Sequence, residues 1–362
     1  MLFRSVEIAK ALLRRVRVLV MDEPTATLTP TETAQLFKLM RELQTQGVTI
    51  LYVSHKLDEV KFVTDRVTVL RDGAVVTTAD TSALTTHQMA NLMVGRELED
   101  MFPPKQLSTS SETALEIRDF SVPGWATRVN LTLRRGEVLG MAGLIGAGRT
   151  ELMEGVFGLR AHSSGAVLRD AHPLMIRDAS DAVRAGMAYL SEDRKGKGLH
   201  VDFALRPNVT LMTLQKYAKP LLDIASEQRT LETAVLEYGI RAGRLDIPAS
   251  ALSGGNQQKL ALAKIMQTAP EVIVLDEPTR GVDVGAKREI YFLIAALASA
   301  GKSVIVISSE LTELLGLSHR LLVMRGGRIA GALTGEAMTE TAAIQLATGV
   351  QTQSLEESHA AA

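Results

Sequence analysis

One stretch of this 362-residue chain occurs twice. The run Val20-Met21-Asp22-Glu23-Pro24-Thr25 returns as Val274-Leu275-Asp276-Glu277-Pro278-Thr279, an offset of 254 residues from Asp22 to Asp276. Without a gap, the same offset carries Gly47 onto Gly301, Ser54 onto Ser308, Glu59 onto Glu313, Arg66 onto Arg320, Arg71 onto Arg325 and Gly73 onto Gly327. A register kept over that length marks a duplicated unit. Each copy reads as strand, helix, strand. Short β-branched apolar runs lie at 16–21 and 272–275, helices at 30–46 and 286–300, glycine stops at Gly47 and Gly301, and second strands at 48–53 and 303–307. Such runs suit strands buried on both faces, and strand–helix–strand is the unit of a parallel sheet. The expectation is an α/β protein with a parallel-sheet core.

The repeat also sets the organisation: a partial first copy over 1–100, a linker over 101–113 with Pro103, Pro104 and a Ser/Thr run, and a complete copy over 114–350. The polar, Ala-rich residues 351–362 are expected to be a disordered tail. Met1-Leu2-Phe3-Arg4-Ser5 runs directly into helix-like sequence with no capping residue; the expectation is a scar joined to an N-terminally truncated gene, with a natural short isoform as the alternative. Charge is balanced, 40 Lys+Arg against 41 Asp+Glu, which argues against a nucleic-acid-binding surface over the whole protein. With no cysteine, disulfides, thiolate metal sites and cysteine nucleophiles are excluded. The apolar runs fall far short of the ~20 residues that span a membrane.

The chemistry concentrates in the second copy. Gly143-Leu144-Ile145-Gly146-Ala147-Gly148-Arg149-Thr150 follows a strand at 138–142 and precedes a helix at 151–157. This is the P-loop spacing GxxxxGK[ST], with Arg149 in the lysine position. Glycines let backbone N–H groups wrap phosphates, the helix N-terminus favours anions, and Thr150 places a hydroxyl where Mg²⁺ sits. A glycine-rich turn without a ligand is the alternative for the loop alone. The strand 272–275 ends in Asp276 and Glu277; in a P-loop ATPase the first carboxylate holds Mg²⁺ through water and the second polarises the attacking water. Two solvated acids capping a strand are the bland alternative. The interval from Gly143 to Asp276 leaves room for an inserted helical subdomain.

Leu252-Ser253-Gly254-Gly255-Asn256-Gln257-Gln258-Lys259 opens a helix at 257–267 and resembles the signature of ATP-binding cassette (ABC) ATPases, in the form found in sugar-import ATPases. Leu190-Ser191-Glu192-Asp193-Arg194-Lys195 is similar to the EDRK-type loop of the second domain of those proteins, and Glu192 falls where other members carry a Mg²⁺-sensing glutamine. A solvated charge run explains the loop equally well by chemistry alone. In copy one, Asp22 and Glu23 repeat the carboxylate pair, and His55 stands where ABC ATPases carry a switch histidine; copy two has Ser309 there.

The resemblance extends over 6–350 and is to the tandem ATPase subunits of ribose-, galactose- and xylose-type importers. It implies P-loop NTPase domains of ABC type, one partial and one complete. The implied cofactors are ATP, at Gly143, Gly146, Ala147, Gly148, Arg149, Thr150 and the signature Ser253, Gly254 and Gly255, and Mg²⁺, at Thr150, Asp276, Asp22 and Glu192. Catalysis would fall to Glu23, His55 and Glu277. It further implies head-to-tail pairing of ABC domains and peripheral attachment, at the cytoplasmic face of the inner membrane, to permease subunits served by a sugar-binding protein. No nucleic-acid partner is implied. Counterparts of Gly143 and Leu252 in copy one would fall before Met1, so these 362 residues alone are expected to hydrolyse ATP only at background rates. The competing readings are a permease-free tandem ABC ATPase of the translation-factor kind, which would carry a long charged helical linker, and a non-functional gene product.

Overall fold

The duplicated motif is built twice with one register. The computed structural model describes residues 16–349 except 26, 27, 29, 55, 72, 95–100, 106–109 and 219. The expectations for the start of the chain, for His55, for part of the linker and for the tail therefore lie outside the described residues. The chain divides into two compact units, the first made mainly of residues up to Met101 and the second running from Phe102.

In the first unit, β1 (Val18–Asp22) and β2 (Thr49–Val53) pair in parallel, Val18 opposite Thr49 and Asp22 opposite Val53. The helix Pro30–Thr45 joins them and covers one face with Leu36, Phe37, Met40 and Leu43, the spacing of a helical stripe. The helix Leu57–Val63, the hairpin of β3 (Arg66–Arg71) and β4 (Ala74–Asp80), and the helix Thr86–Val94 follow.

In the second unit, β5 (Thr113–Val122), β6 (Ala126–Arg134), β8 (Ser164–Arg169) and β9 (His172–Leu174) form an antiparallel sheet in the order β6-β5-β8-β9; β7 (Val138–Gly143) leaves it for the main sheet. With β10 (Met187–Leu190), β11 (Val272–Asp276), β12 (Ser303–Ile307), β13 (Arg320–Arg325) and β14 (Arg328–Thr334), that sheet runs β10-β11-β12-β7-β13-β14. It is parallel except for β14, which closes one edge as a hairpin. The helices Leu205–Thr210 and Ile224–Glu237 fill the interval anticipated for a helical insertion. The antiparallel sheet has no counterpart among the strands anticipated above.

The two copies match in detail. β11 pairs β12 from Val272 opposite Ser303, the same positions as Val18 and Thr49, and both hairpins carry a bulge at one place, Val69/Leu70 and Val323/Met324. They differ in burial. Every residue of β11 and β12 is buried, and Val272, Val274, Ile305 and Ile307 share a core with Leu152, Met153 and Val156 of the helix Arg149–Val156. Their first-unit equivalents, Val18, Val20, Leu51 and Val53, are 59%, 60%, 57% and 45% exposed. The sequence pattern of a doubly buried strand is thus met only in the second unit.

Candidate nucleotide site

The strand order places the site. β7 lies between β12 and β13, so the loop after Gly143 emerges beside the ends of β12 and β11; ligands of open parallel sheets bind at such carboxyl ends. The backbone turns through Gly143, Gly146 and Gly148 at φ 157°, 81° and 93°. The last two lie in the left-handed region, and a Cβ on Gly148 would also stand 2.2 Å from the Trp125 carbonyl oxygen. The helix begins at Arg149, two residues before the predicted start, so Arg149 and Thr150 occupy its first turn. The Ala147 N–H is already donated to the Leu144 carbonyl at 3.0 Å.

Arg149 is buried, and its Nη1 donates to the Ser308 carbonyl at 2.7 Å, at the end of β12. Next in the chain, Ser309 Oγ donates to Glu277 Oε2 at 3.2 Å. Glu277 sits at φ 49° and its first-unit counterpart Glu23 at φ 45°, a conformation uncommon for residues with a side chain. Both are held the same way: Glu277 N–H donates to the Ile307 carbonyl at 2.8 Å and Glu23 N–H to the Val53 carbonyl at 2.9 Å. Asp276 is fully buried; Tyr189 OH donates to its Oδ2 at 2.7 Å, while Oδ1 has no hydrogen-bond partner. Burial raises the pKa of Asp276, against the hydrogen bonds of Tyr189 and Thr150, and burial likewise raises that of Glu277. Asp22, the counterpart of Asp276, is exposed at the end of β1.

The signature helix runs Gly254–Met266, three residues earlier than predicted, with Ser253 as its N-cap accepting from the Asn256 N–H. Gly255 packs against Ala286, where a Cβ would stand 2.4 Å from the Ala286 Cβ. The EDRK-type loop leaves β10 at Leu190 and runs into a π-helical turn, Arg194–Gly198. Its side chains reach both motifs: Arg194 Nη1 donates to the Gly254 carbonyl at 2.6 Å, and Lys197 Nζ to Glu154 Oε1 on the P-loop helix at 3.0 Å. Glu192 Oε2 is engaged by Arg280 Nη1 at 2.7 Å, yet its charge still reaches Asp276. Tyr189 and Trp125 were not anticipated. Trp125, the only tryptophan, stands 40% exposed beside Gly148, and its one sequence signal is its place after the Gly124 turn.

Residues 126–280 match the family model described as ABC transporter. Ribose import ATP-binding protein RbsA 2 of Rhizobium meliloti is 47% identical over 348 residues, 95% of this chain and 68% of that protein. The chain belongs to the ABC transporter ATP-binding proteins. Ribose import ATP-binding protein RbsA of Oceanobacillus iheyensis is 41% identical over 345 residues, covering 95% of this ABC chain and 69% of its own length. Among solved structures, the ADP conformation of the ATP-binding cassette MJ1267 matches 66% of this chain and 100% of its own, with a TM-score of 0.55 at 20% identity. The dimeric post-hydrolysis cassette MJ0796, bound to ADP and Pi, gives a TM-score of 0.54 at 18% identity over 61% of this chain and 98% of its own. These two likenesses carry the fold.

Mg²⁺ is the metal an ABC fold implies, and the donors in this ABC protein suit it. A fully buried carboxylate with one oxygen lacking a hydrogen-bond partner, and a threonine hydroxyl beside it, present hard oxygen ligands whose burial a cation would compensate. Among the described residues no group of three or more His, Cys, Asp or Glu side chains could hold a metal by itself, so nucleotide and water would supply the remaining ligands. No helix among them is long and apolar enough to cross a membrane.

Proposed function

We propose that this protein is the ATP-binding subunit that energises import of ribose or a related monosaccharide through a membrane permease, working peripherally at the cytoplasmic face with an extracytoplasmic sugar-binding protein upstream. The supporting observation is the convergence of Arg149, Asp276, Glu277 and the Gly146–Gly148 turn at one end of the main sheet, in a chain 47% identical to a ribose import ATP-binding protein. Phosphates of ATP would lie on the loop 143–150, the adenine would stack on the exposed face of Trp125, and Thr150 with Asp276 would hold Mg²⁺, which neutralises phosphate charge. Ser253, Gly254 and Gly255 would serve a nucleotide held by a facing ATP-binding domain.

Hydrolysis is assigned to Glu23, with Asp22 holding Mg²⁺ and His55 orienting water. Two features of the second unit argue for this division. Arg149 is tied to a backbone carbonyl where a mobile lysine would reach the phosphates, and Ser309 replaces the histidine. In cells that rely on this protein for ribose uptake, Glu23→Gln should lower uptake of labelled ribose more than about tenfold, a barrier increase of ~1.4 kcal/mol or more. Glu277→Gln should change it less than about threefold, under ~0.7 kcal/mol. The reverse ranking would place hydrolysis in the second unit. Normal ribose uptake in both variants, with galactose or xylose uptake lost in Glu23→Gln, would correct the sugar and keep the role.

A further inference from the structure

Each unit contains a carboxylate that ties the threonine after the Asp-Glu pair to the neighbouring strand, and the two copies differ in the groups around it. In the first unit Glu59 Oε2 accepts from Thr25 Oγ1 at 2.6 Å and from Tyr52 OH at 2.7 Å, with Lys56 Nζ 3.1 Å from Oε1. In the second, Glu313 is 1% exposed; Oε1 accepts from Thr279 Oγ1 at 3.0 Å and Oε2 from Ser308 Oγ at 2.5 Å. The position of Lys56 is taken by Glu310, which turns away to Lys287 at 2.6 Å.

The clamp stands directly under the nucleotide site. Ser308 offers its hydroxyl to Glu313 and its carbonyl to Arg149, its neighbour Ser309 donates to Glu277, and Thr279 lies two residues beyond Glu277. We propose that Glu313 is a positioning residue whose ionised form holds Arg149 and Glu277 in their nucleotide-binding pose, so that nucleotide affinity of the second unit depends on pH. This rests on reading that site as a nucleotide site.

Only the carboxylate can accept both hydroxyl protons at once. Protonation converts one oxygen into a donor, and the hydroxyl facing it must turn to accept, which sends the Ser308 or Thr279 proton away from the clamp. The titratable and charged groups around Glu313 among the described residues are Glu310 at the start of its own helix, and Lys287 and Tyr291 on the helix Val284–Ser299. Burial pushes the Glu313 carboxyl up to about 7, Ser308 and Thr279 pull against that shift, Glu310 adds to it and Lys287 offsets part. Tyr291 is kept protonated by its own burial. For Glu59, burial acts upward as well, but the hydrogen bonds of Thr25, Tyr52 and Lys56 outweigh it and hold the group below the usual carboxylate range. The first clamp therefore stays ionised across neutral pH, and the second does not.

The experiment is calorimetric titration of the full chain with Mg-ATP from pH 6 to 8.5. Affinity should weaken about five- to tenfold as pH falls from 8 to 6, the effect of roughly one hydrogen bond on an equilibrium. Glu313→Gln, which accepts at one end and donates at the other, should be flat at the low-pH value. Glu310→Lys with Lys287→Thr gives the second unit the first unit's residues at those two positions, Lys56 and Thr33, and should keep the high affinity down to pH 6.

Melting temperature against pH, taken without nucleotide, checks the titration separately. A carboxyl raised from 4.5 to about 7 stabilises the fold fully below its unfolded pKa, and that contribution is lost as pH rises through 7. The parent should lose melting temperature relative to Glu313→Gln between pH 5 and 8. ATP binding with a pH profile unchanged in Glu313→Gln, or a midpoint unmoved by the Lys–Thr pair, overturns the proposal and leaves the nucleotide site standing. No ATP binding at any pH, in chains that melt as expected, overturns the nucleotide reading and this proposal with it.

Discussion

Gly148→Asp should abolish Mg-ATP binding by the second unit. The backbone there is at φ 93°, and the new Cβ would stand 2.2 Å from the Trp125 carbonyl, so the loop must shift before any ligand arrives. The new carboxylate then meets phosphate at a helix N-terminus otherwise suited to anions. A loss of affinity of at least a hundredfold is expected, ~2.7 kcal/mol or more. Because that substitution also strains the fold, Gly146→Asp supplies the control. Its φ is 81°, but no atom lies within 4 Å of the added Cβ, so it introduces the charge at the expense of backbone strain alone, ~1–2 kcal/mol. Both variants should lose binding while Gly146→Asp keeps a cooperative melt. The single tryptophan, Trp125, adjoins the loop and supplies an intrinsic fluorescence signal for the titration. Parental affinity in Gly146→Asp would show that phosphate does not lie on this loop.

Backbone amides of β1 and β2 should exchange with solvent at least a hundredfold faster than those of β11 and β12, ~2.7 kcal/mol less protected. The sequences are duplicates and the hydrogen-bond registers agree, so local propensity does not distinguish the pairs. Surroundings do. Among the described residues β1 and β2 form a two-stranded sheet, whereas β11 lies between β10 and β12, and β12 between β11 and β7. A lone strand pair is marginal, and here its apolar residues Val18, Val20, Leu51 and Val53 face water on one side. Hydrogen exchange read by mass spectrometry on peptides from each copy makes the comparison within one sample. Equal protection in the two pairs would mean that something covers the open face in solution. Val20→Thr would then weaken that cover and speed exchange in the first pair.

Much of this protein was legible from residue order alone, and the reason is that its motifs are local. The 254-residue repeat named two copies of one βαβ unit, and the structure builds them with the same pairing register, the same bulge and the same positive φ at Glu23 and Glu277. Glycine spacing in 143–150 is a statement about backbone conformation over eight residues, and so is the capped start of the signature helix at Ser253; sequence neighbours decide both. Helix starts were misplaced by two or three residues at Arg149 and Gly254, because glycine-rich turns hide the point where helical hydrogen bonding begins.

What lies across the sheet could not be read from the chain. Arg149 looks from the sequence like a substituted phosphate ligand, but its partner is a carbonyl 159 positions away, met only because β7 inserts beside β12. The antiparallel sheet that brings Trp125 to Gly148 is likewise a matter of strand order. The contrast between Glu59 and Glu313 was written in the sequence as Lys56 against Glu310, yet it carried no meaning until the fold buried one carboxylate between Thr279 and Ser308. Local sequence sets backbone conformation through sterics and hydrogen-bond spacing; which side chains share a low-dielectric interior, and so which charges matter, is decided by long-range packing.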